Sequence, residues 1–167
     1  MTLTLILTRH AKSSWSHAGL DDHDRPLNKR GRASAKAIGR WLAAHGYAPD
    51  TVLCSDAART RETWALIADK FIGAPGAEYL EELYLADPAT MLAALRRAEG
   101  KVVMMLGHNP GCAFTARRLS AEPHPHEKFH HYPTGATSVI AFDVDKWADV
   151  DWGTGRVVDF VVPRGLI

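Results

Sequence analysis

Apolar residues along the chain fall into short continuous runs that alternate with longer amphipathic stretches. The short runs are rich in Val, Leu, Ile and Met, which is typical of strands buried on both faces of a sheet. The clearest example is Lys-Val-Val-Met-Met-Leu-Gly at positions 101–107. The pattern predicts five strands, the last of them at an edge of the sheet: 3–8, 51–55, 101–107, 138–143 and 156–162.

The amphipathic stretches predict four helices. The side chain of Asn28 can cap the first, and Pro88 suits the first turn of another. The predicted helices are Asn28 through Ala44, 57–71, 88–98 and 110–119. Strands that alternate with helices in this way indicate a mostly parallel central sheet covered on both faces. We therefore expect a single α/β domain over residues 1–167, built as a three-layer α/β/α sandwich.

Composition and charge restrict the possible functions. The chain has 167 residues, of which 46% are hydrophobic and 23% charged, as in an ordinary globular protein with one core. Its formal net charge of +1 provides no global field for nucleic acid or an acidic membrane, and we expect neither as a partner.

No apolar run approaches the roughly 20 residues that span a bilayer, and residues 1–8 are predicted to be a strand rather than a secretion signal. The separated cysteines, Cys54 and Cys112, favour reduced thiols in a cytoplasmic protein.

Residues with reactive side chains directly follow three of the predicted strands. Arg9 and His10 follow the strand at 3–8. Residues 55–59 lie at the end of the strand at 51–55, and residues 107–109 lie at the end of the strand at 101–107. In an open parallel sheet, ligands bind beyond the carboxyl ends of the strands. The sequence therefore predicts that these three segments form one site.

The residue types at these positions suit a phosphoryl group. The imidazole of His10 can attack phosphorus when one ring nitrogen is unprotonated and the other donates a hydrogen bond. A phosphoryl group carries about −1.5 to −2 charges, and the planar guanidinium of Arg9 can bind two of its oxygens. Arg59 lies in the first turn of a predicted helix, whose N-terminus also favours an anion. His108 lies in a glycine-containing turn that allows close backbone approach. Each residue taken alone also fits a structural role.

Four motifs follow one another along the chain: Leu-Thr-Arg-His-Ala at 7–11, Arg-Pro-Leu-Asn-Lys-Arg-Gly at 25–31, Ser-Asp-Ala-Ala-Arg-Thr-Arg-Glu-Thr at 55–63 and Gly-His-Asn at 107–109. In kind and order they resemble the histidine phosphatase superfamily, whose members have the phosphoglycerate mutase-like fold. Within the superfamily, the short chain is similar to the SixA-type phosphohistidine phosphatases. The resemblance implies that His10 is a nucleophile that becomes phosphorylated. It also implies that Arg9, Arg59 and His108 form the phosphate-binding pocket.

The chain departs from the family pattern at several positions. Ala11 follows the Arg-His pair, where the family usually has glycine. Ser16 stands where the family has an asparagine, and the match implies a phosphate contact from Ser16. The Leu-Glu-Glu sequence at 80–82 matches the pattern that contains the family's catalytic acid, which implies that Glu82 is a general acid. A helical or surface role for Glu82 stays open.

The resemblance leaves the substrate open. The chain lacks the insertion that shapes the substrate pocket of larger family members, so we expect an open pocket suited to phosphohistidine in a protein. Histidine, with an unperturbed pKa near 6.5, also needs less help from an acid as a leaving group than an alcohol does. The alternatives are a phosphatase for a small phosphate ester, a phosphomutase and a non-catalytic phosphate-binding module. We expect no cofactor and no metal, because the histidine-rich stretch 122–133 lacks the carboxylate pairing of a metal site and is predicted to be a solvated loop.

Overall fold

The computed structural model describes residues 1–167 and contains one six-stranded sheet. The strands are β1 (Leu3–Arg9), β2 (Thr51–Ser55), β3 (Ala77–Leu80), β4 (Val102–Gly107), β5 (Thr137–Phe142) and β6 (Arg156–Val161). Their order across the sheet is β3-β2-β4-β1-β5-β6. The first four strands in this order pair in parallel, whereas β5 pairs antiparallel with both β1 and β6. The sheet is therefore mostly parallel, as predicted.

Four helices connect the strands: α1 (Lys29–Ala44), α2 (Ala58–Ala68), α3 (Pro88–Arg96) and α4 (Gly111–Leu119). Side chains cap two of them, because Asn28 accepts a hydrogen bond from the Gly31 amide and Asp87 accepts one from the Thr90 amide, both at 2.8 Å. Short 3₁₀ turns occur at Asp22–Asp24, Glu81–Leu83, Trp147–Asp149 and Pro163–Gly165. None of the helices combines the length and the hydrophobicity needed to cross a membrane.

The core lies on both faces of the sheet. Successive residues of β1 point to opposite faces, as the pleat of a strand requires. Leu5 and Leu7 pack in a cluster with buried residues of α3 and α4, whereas Ile6 packs in a second cluster with buried residues of α1 and α2. The predicted three-layer α/β/α architecture is confirmed.

The structure differs from the prediction at β3 and at the ends of two helices. The sequence pattern does not predict β3, because its Ala-Glu-Tyr-Leu residues lie at a sheet edge and none of them is fully buried. Helix α2 ends at Ala68 rather than at residue 71, since Lys70 and Phe71 donate to carbonyl oxygens three residues earlier and continue the chain as tight turns. Arg97 and Ala98 do the same after α3.

The histidine-rich stretch 122–133 contains no helix or strand, as predicted, but it is more than a solvated loop. The side chains of Phe129 and Tyr132 are fully buried in the core. The Tyr132 hydroxyl donates to the Leu7 carbonyl oxygen at 2.5 Å, and it lies 2.9 Å from the Ser138 hydroxyl. The segment is thereby fixed against β1 and β5, directly beside the carboxyl end of β1.

Candidate active site

Arg9, His10, Arg59 and His108 line one pocket of about 360 Å³. Arg9 is the last residue of β1, Arg59 lies in the first turn of α2 after β2, and His108 follows β4. Because β1, β2 and β4 are parallel, their carboxyl ends lie at the same edge of the sheet. The structure thus brings together the four residues that the sequence places at three strand ends.

His10 is held as a neutral imidazole with one free nitrogen. Its ring is buried, with 6% of the residue exposed, and Nδ1 lies 2.6 Å from the Ala11 carbonyl oxygen. A carbonyl oxygen can only accept, so Nδ1 donates and Nε2 keeps its lone pair. Burial, first of all, and the charges of Arg9 and Arg59 together lower the pKa of His10 to about 3, although the hydrogen bond to the Ala11 carbonyl oxygen acts in the opposite direction. Such a ring is suited to nucleophilic attack at Nε2.

His108 lies beside His10, with 5.3 Å between the ring centroids. Its Nε2 is 2.8 Å from the hydroxyl oxygen of Ser55, the last residue of β2. Its Nδ1 is buried and has no hydrogen-bond partner in the protein. Burial is the main cause that lowers the pKa of His108 to about 3, and proximity to His10 adds to it. Nδ1 is therefore the ring nitrogen left to contact a ligand.

The two arginines are fixed by different partners. Arg9 donates from Nη1 to the Tyr132 carbonyl oxygen at 3.2 Å, which gives the histidine-rich segment a direct connection to the pocket. Arg59, only 2% exposed, donates to the backbone oxygen of Asp22 at 2.7 Å and to its carboxylate at 2.9 Å. The Nε atoms of both arginines are buried without a partner in the protein. Buried donors of this kind are rare in folded proteins unless a ligand uses them.

Asp22 belongs to the charged stretch 21–25, which the sequence alone places on a solvated surface or beside the substrate. Its carboxylate accepts hydrogen bonds from Tyr84, Arg25 and Arg59. These bonds, first of all the one from Tyr84, lower the pKa of Asp22 and keep it ionised. Asp22 is therefore a positioning residue for Arg59 and cannot supply a proton. The available signal was its place in the Asp-His-Asp-Arg-Pro-Leu sequence, three residues before a motif arginine.

Glu82 and Ser16 do not lie in the pocket. Glu82 is in the turn Glu81–Leu83, exposed, and both carboxylate oxygens accept from Arg97 at 3.1 Å. Tyr84, the residue after this 3₁₀ turn, packs edge-on against His108 instead, with 5.3 Å between the ring centroids. Ser16 is exposed and its hydroxyl lies 2.9 Å from that of Ser14. The geometry therefore does not support a general-acid role for Glu82. It also does not support a phosphate contact from Ser16.

The mouth of the pocket is formed by exposed apolar side chains. Trp15 is 79% exposed, and the centroid of its ring lies 3.5 Å from the guanidinium carbon of Arg25. Leu85 is 54% exposed and lines the same pocket. Arg25 itself is buried and donates to the Ser13 hydroxyl at 2.7 Å. No element closes over the two exposed side chains, so a large substrate can reach the pocket.

The two neutral buried histidines predict a pH-dependent stability. An unfolded histidine titrates near pKa 6.5, whereas His10 and His108 titrate near 3 in the folded protein. Below pH 6.5 the unfolded state binds more protons, so stability should fall as the pH drops from 6.5 toward 3, at up to about 1.4 kcal/mol per pH unit for each histidine. Urea unfolding at several pH values measures this slope. The His108→Gln variant should show a shallower slope, whereas the exposed-site control His45→Gln should not.

His23 acts in the opposite sense in this experiment. Its ion pair with Asp56 raises its pKa, so protonation of His23 stabilises the folded state as the pH falls. Because His23 is present in all three proteins, its effect cancels in the comparison. Equal slopes for wild type and His108→Gln would show that His108 is not held neutral.

Comparison with known proteins agrees with this geometry. The sequence profile described as histidine phosphatase superfamily (branch 1) matches residues 5–84. A solved structure of a proposed phosphohistidine phosphatase SixA from Nakamurella multipartitia superposes with a TM-score of 0.84 and 31% identity, over 98% of this chain and 97% of that one. This chain belongs to the histidine phosphatase superfamily.

Two further relatives of this histidine phosphatase cover nearly its whole length. A proposed SixA from Agrobacterium tumefaciens superposes with a TM-score of 0.79 and 30% identity, over 96% of this chain and 98% of that one. The uncharacterized protein Rv1276c of Mycobacterium tuberculosis is 39% identical over 172 residues, which cover 93% of this chain and 99% of the other. The fold is thus the phosphoglycerate mutase-like fold, and the resemblance to SixA-type members, inferred from the motifs and the short chain, is confirmed.

Proposed function

We propose that this phosphatase removes the phosphoryl group from phosphohistidine in a protein, through a phosphorylated His10. The observation that carries the proposal is the state of His10. Its Nδ1 is bound to the Ala11 carbonyl oxygen, so Nε2 is unprotonated, and it shares the pocket with buried nitrogen atoms of Arg9, Arg59 and His108 that have no partner in the protein. A nucleophile without a proton beside two guanidinium groups with unused donors fits a phosphoryl group.

The proposed reaction has two steps. In the first, the Nε2 lone pair attacks phosphorus while the bond from phosphorus to the substrate nitrogen breaks. Its electron pair goes to that nitrogen, and the substrate ring, which takes a proton from water on its other nitrogen, leaves as neutral imidazole. In the second, a water oxygen attacks the phosphorus of phospho-His10, the bond from phosphorus to Nε2 breaks and returns its electron pair to Nε2, and a proton of the water passes to the phosphate or to solvent. Inorganic phosphate then leaves and neutral His10 is restored. Arg9, Arg59 and His108 bind the phosphoryl oxygens throughout and stabilise the charge in the transition state.

The absence of a protonated acid in the pocket favours a phosphohistidine substrate. No carboxyl group lines the pocket. Asp22, which binds Arg59, is kept ionised by Tyr84 and the arginines, and Glu82 is bound to Arg97 on the surface. An alcohol leaving group needs a proton at the moment of bond cleavage. The second ring nitrogen of a phosphohistidine can instead take a proton from water near neutral pH, since histidine titrates near pKa 6.5. The pocket therefore lacks what alkyl phosphates need most.

The exposure of the pocket favours a protein substrate. Trp15 and Leu85 stand at the mouth with most of their surface in solvent. Small-molecule sites usually enclose most of the ligand surface, whereas this pocket offers a rim that a partner protein can cover. The names of the two SixA relatives, which describe phosphohistidine phosphatases, support the same substrate class.

A side-by-side turnover assay tests the proposal. We expect kcat/KM to be highest for a phosphohistidine peptide, lower for an aryl phosphate and lowest for a phosphoserine peptide of the same sequence, in the order of leaving-group acidity. A phosphoserine peptide that is turned over as fast as the phosphohistidine peptide would contradict the proposal and favour a general phosphomonoesterase.

The Glu82→Gln variant is the internal control of this assay. Because Glu82 lies outside the pocket and is bound to Arg97, its replacement should change kcat/KM by less than about twofold on all three substrates, the range of a surface substitution. A loss that is largest on phosphoserine would restore Glu82 as the general acid.

A further inference from the structure

A larger groove adjoins the phosphate pocket and has no part in the proposed chemistry. Its volume is about 680 Å³, and it shares Lys12 and Thr134 with the pocket. Its walls come from the residues after β1, the start of α1, the histidine-rich stretch 122–133 and the turn Pro163–Gly165. The groove is therefore continuous with the place where the phosphoryl group would bind.

Unpaired cations line this groove. Lys12, Arg30, Lys128 and Arg164 are all exposed, and none of them forms an ion pair or a side-chain hydrogen bond within the protein. Glu127 is the one acidic side chain of the lining. Three other exposed arginines, Arg96, Arg97 and Arg156, are instead paired with carboxylates. The chain has a net charge of only +1, so the four cations of the groove form a local concentration of positive charge rather than part of a uniformly basic surface.

The start of α1 strengthens the positive potential. Its first turn contains no acidic residue and carries basic ones, which oppose the helix dipole unless an anion is near. Gly31 allows α1 to approach the segment after His10 closely, because a Cβ there would lie 2.0 Å from the Lys12 carbonyl oxygen. Lys12 and Arg30 are thus held in the wall of one groove by backbone contacts, although their side chains are free.

We propose that this basic groove binds an acidic segment of the phosphorylated protein substrate, beside the phosphohistidine in the pocket. This proposal rests on the proposed function, and it adds that the chain of the substrate protein extends from the phosphate pocket into the basic groove. The acidic side chains near the pocket belong to the turn Asp22–Asp24, none of which lines the basic groove. An acidic segment would therefore be attracted along the Lys12 side and repelled from that turn.

The form of the groove favours a polypeptide over other anions. Its cations come from separate chain segments and are exposed, whereas a site for one small anion concentrates buried polar groups on a single point. Exposed charges spread along a groove increase the association rate and select the partner by charge complementarity. The lining contains no Phe, Tyr or Trp on which nucleic-acid bases could stack. It is also concave, unlike a surface that lies on a membrane.

A binding measurement tests the basic groove without using the reaction. The probe is a fluorescent, unphosphorylated peptide rich in Asp and Glu, followed by anisotropy at low and high salt. We compare wild type with the variant Arg30→Gln, Lys128→Gln, Arg164→Gln, which leaves the pocket residues intact. A matched variant, Lys36→Gln, Arg40→Gln, Lys146→Gln, removes the same charge from exposed positions outside the groove. We expect the affinity to fall about tenfold in the groove variant and to change little in the matched variant.

Turnover then tests whether the basic groove serves the substrate. Wild type should hydrolyse a phosphohistidine peptide with acidic flanks about tenfold faster, in kcat/KM, than one with neutral flanks, and added salt should reduce this preference as the Debye length shortens. The groove variant should lose the preference, whereas its rate on an aryl phosphate should stay at the wild-type value.

The outcomes separate the groove from the reaction. Equal loss of peptide binding in both variants would overturn the proposal, because net charge alone would explain it. Binding to anionic vesicles or single-stranded DNA but not to the acidic peptide would overturn it as well. If neither phosphohistidine peptide is hydrolysed while an aryl phosphate is, the proposed substrate class fails, and the anisotropy measurement still decides whether the groove binds acidic polypeptides.

Discussion

Replacement of His10 by Ala is expected to abolish turnover, with a loss on the order of 10⁴-fold or more in kcat, the scale seen when a covalent nucleophile is removed. The reason is that no other imidazole in the pocket can take its role. His108 is the second imidazole of the pocket, and its Nε2 lies 2.8 Å from the Ser55 hydroxyl, so we expect its remaining nitrogen, Nδ1, to bind a phosphoryl oxygen rather than to attack phosphorus. Initial rates on a phosphohistidine peptide measure the loss, and far-ultraviolet circular dichroism shows whether the fold is retained.

The control for this experiment is His17→Ala, an exposed histidine outside the pocket, which should keep the wild-type rate. Wild type quenched during turnover of labelled substrate should carry phosphate that is labile in acid and stable in base, and His10→Ala should carry none. A folded His10→Ala protein that keeps more than a few per cent of the wild-type activity would eliminate His10 as the nucleophile.

The sequence predicts the layers of the fold because hydrophobic periodicity depends on burial. The strand at 101–107 is apolar without interruption, and in the structure β4 lies between β2 and β1 with both faces covered. The edge strand β3 has no such signal, since a half-exposed strand of four residues is compatible with a loop. The meeting of Arg9, Arg59 and His108 could be predicted for a related reason: parallel strands place their carboxyl ends at one edge.

The positioning residues could not be predicted in the same way. Asp22 and Tyr84 are 62 residues apart, and their hydrogen bond depends on how two turns pack over Arg59. Tyr132 lies in a stretch whose prolines and histidines suggest a solvated loop, yet its carbonyl oxygen accepts from Arg9. Such contacts are set by loop conformation, which carries no periodic pattern.

Glu82 shows what a local sequence match leaves undetermined. The Leu-Glu-Glu sequence at 80–82 fits the family pattern, but a carboxylate is directed by its backbone and by the partners within reach. Here the 3₁₀ turn leaves Glu82 exposed beside Arg97 and places Tyr84 against His108. A motif read from the chain contains the residue type and the spacing but not the conformation of the turn.

Removal of the Arg59 side chain is expected to give the second large loss. Arg59 is held by the backbone and the carboxylate of Asp22, so its orientation is fixed before substrate binds. A preorganised cation that contacts a phosphoryl group contributes about 3 kcal/mol to the transition state, so Arg59→Ala should reduce kcat/KM by about 100-fold. The matched control is Arg61→Ala. Arg61 is exposed two residues further along α2 and donates to the Asp56 carbonyl oxygen, so its loss should cost little.

A double variant distinguishes a shared phosphate site from two independent contacts. Arg9→Ala alone should also cost about 100-fold, but groups that bind one phosphoryl group act as a unit. When one arginine is removed, the phosphoryl group is bound less rigidly, and the remaining arginine therefore contributes less to the stability of the transition state. The Arg9→Ala, Arg59→Ala variant should therefore lose clearly less than the product of the single losses, measured as kcat/KM on the phosphohistidine peptide. Fully additive losses would mean that the two guanidinium groups stabilise the transition state separately. An Arg59→Ala variant as active as wild type would remove Arg59 from the phosphate site, and Asp22 would then be holding it for a structural reason alone.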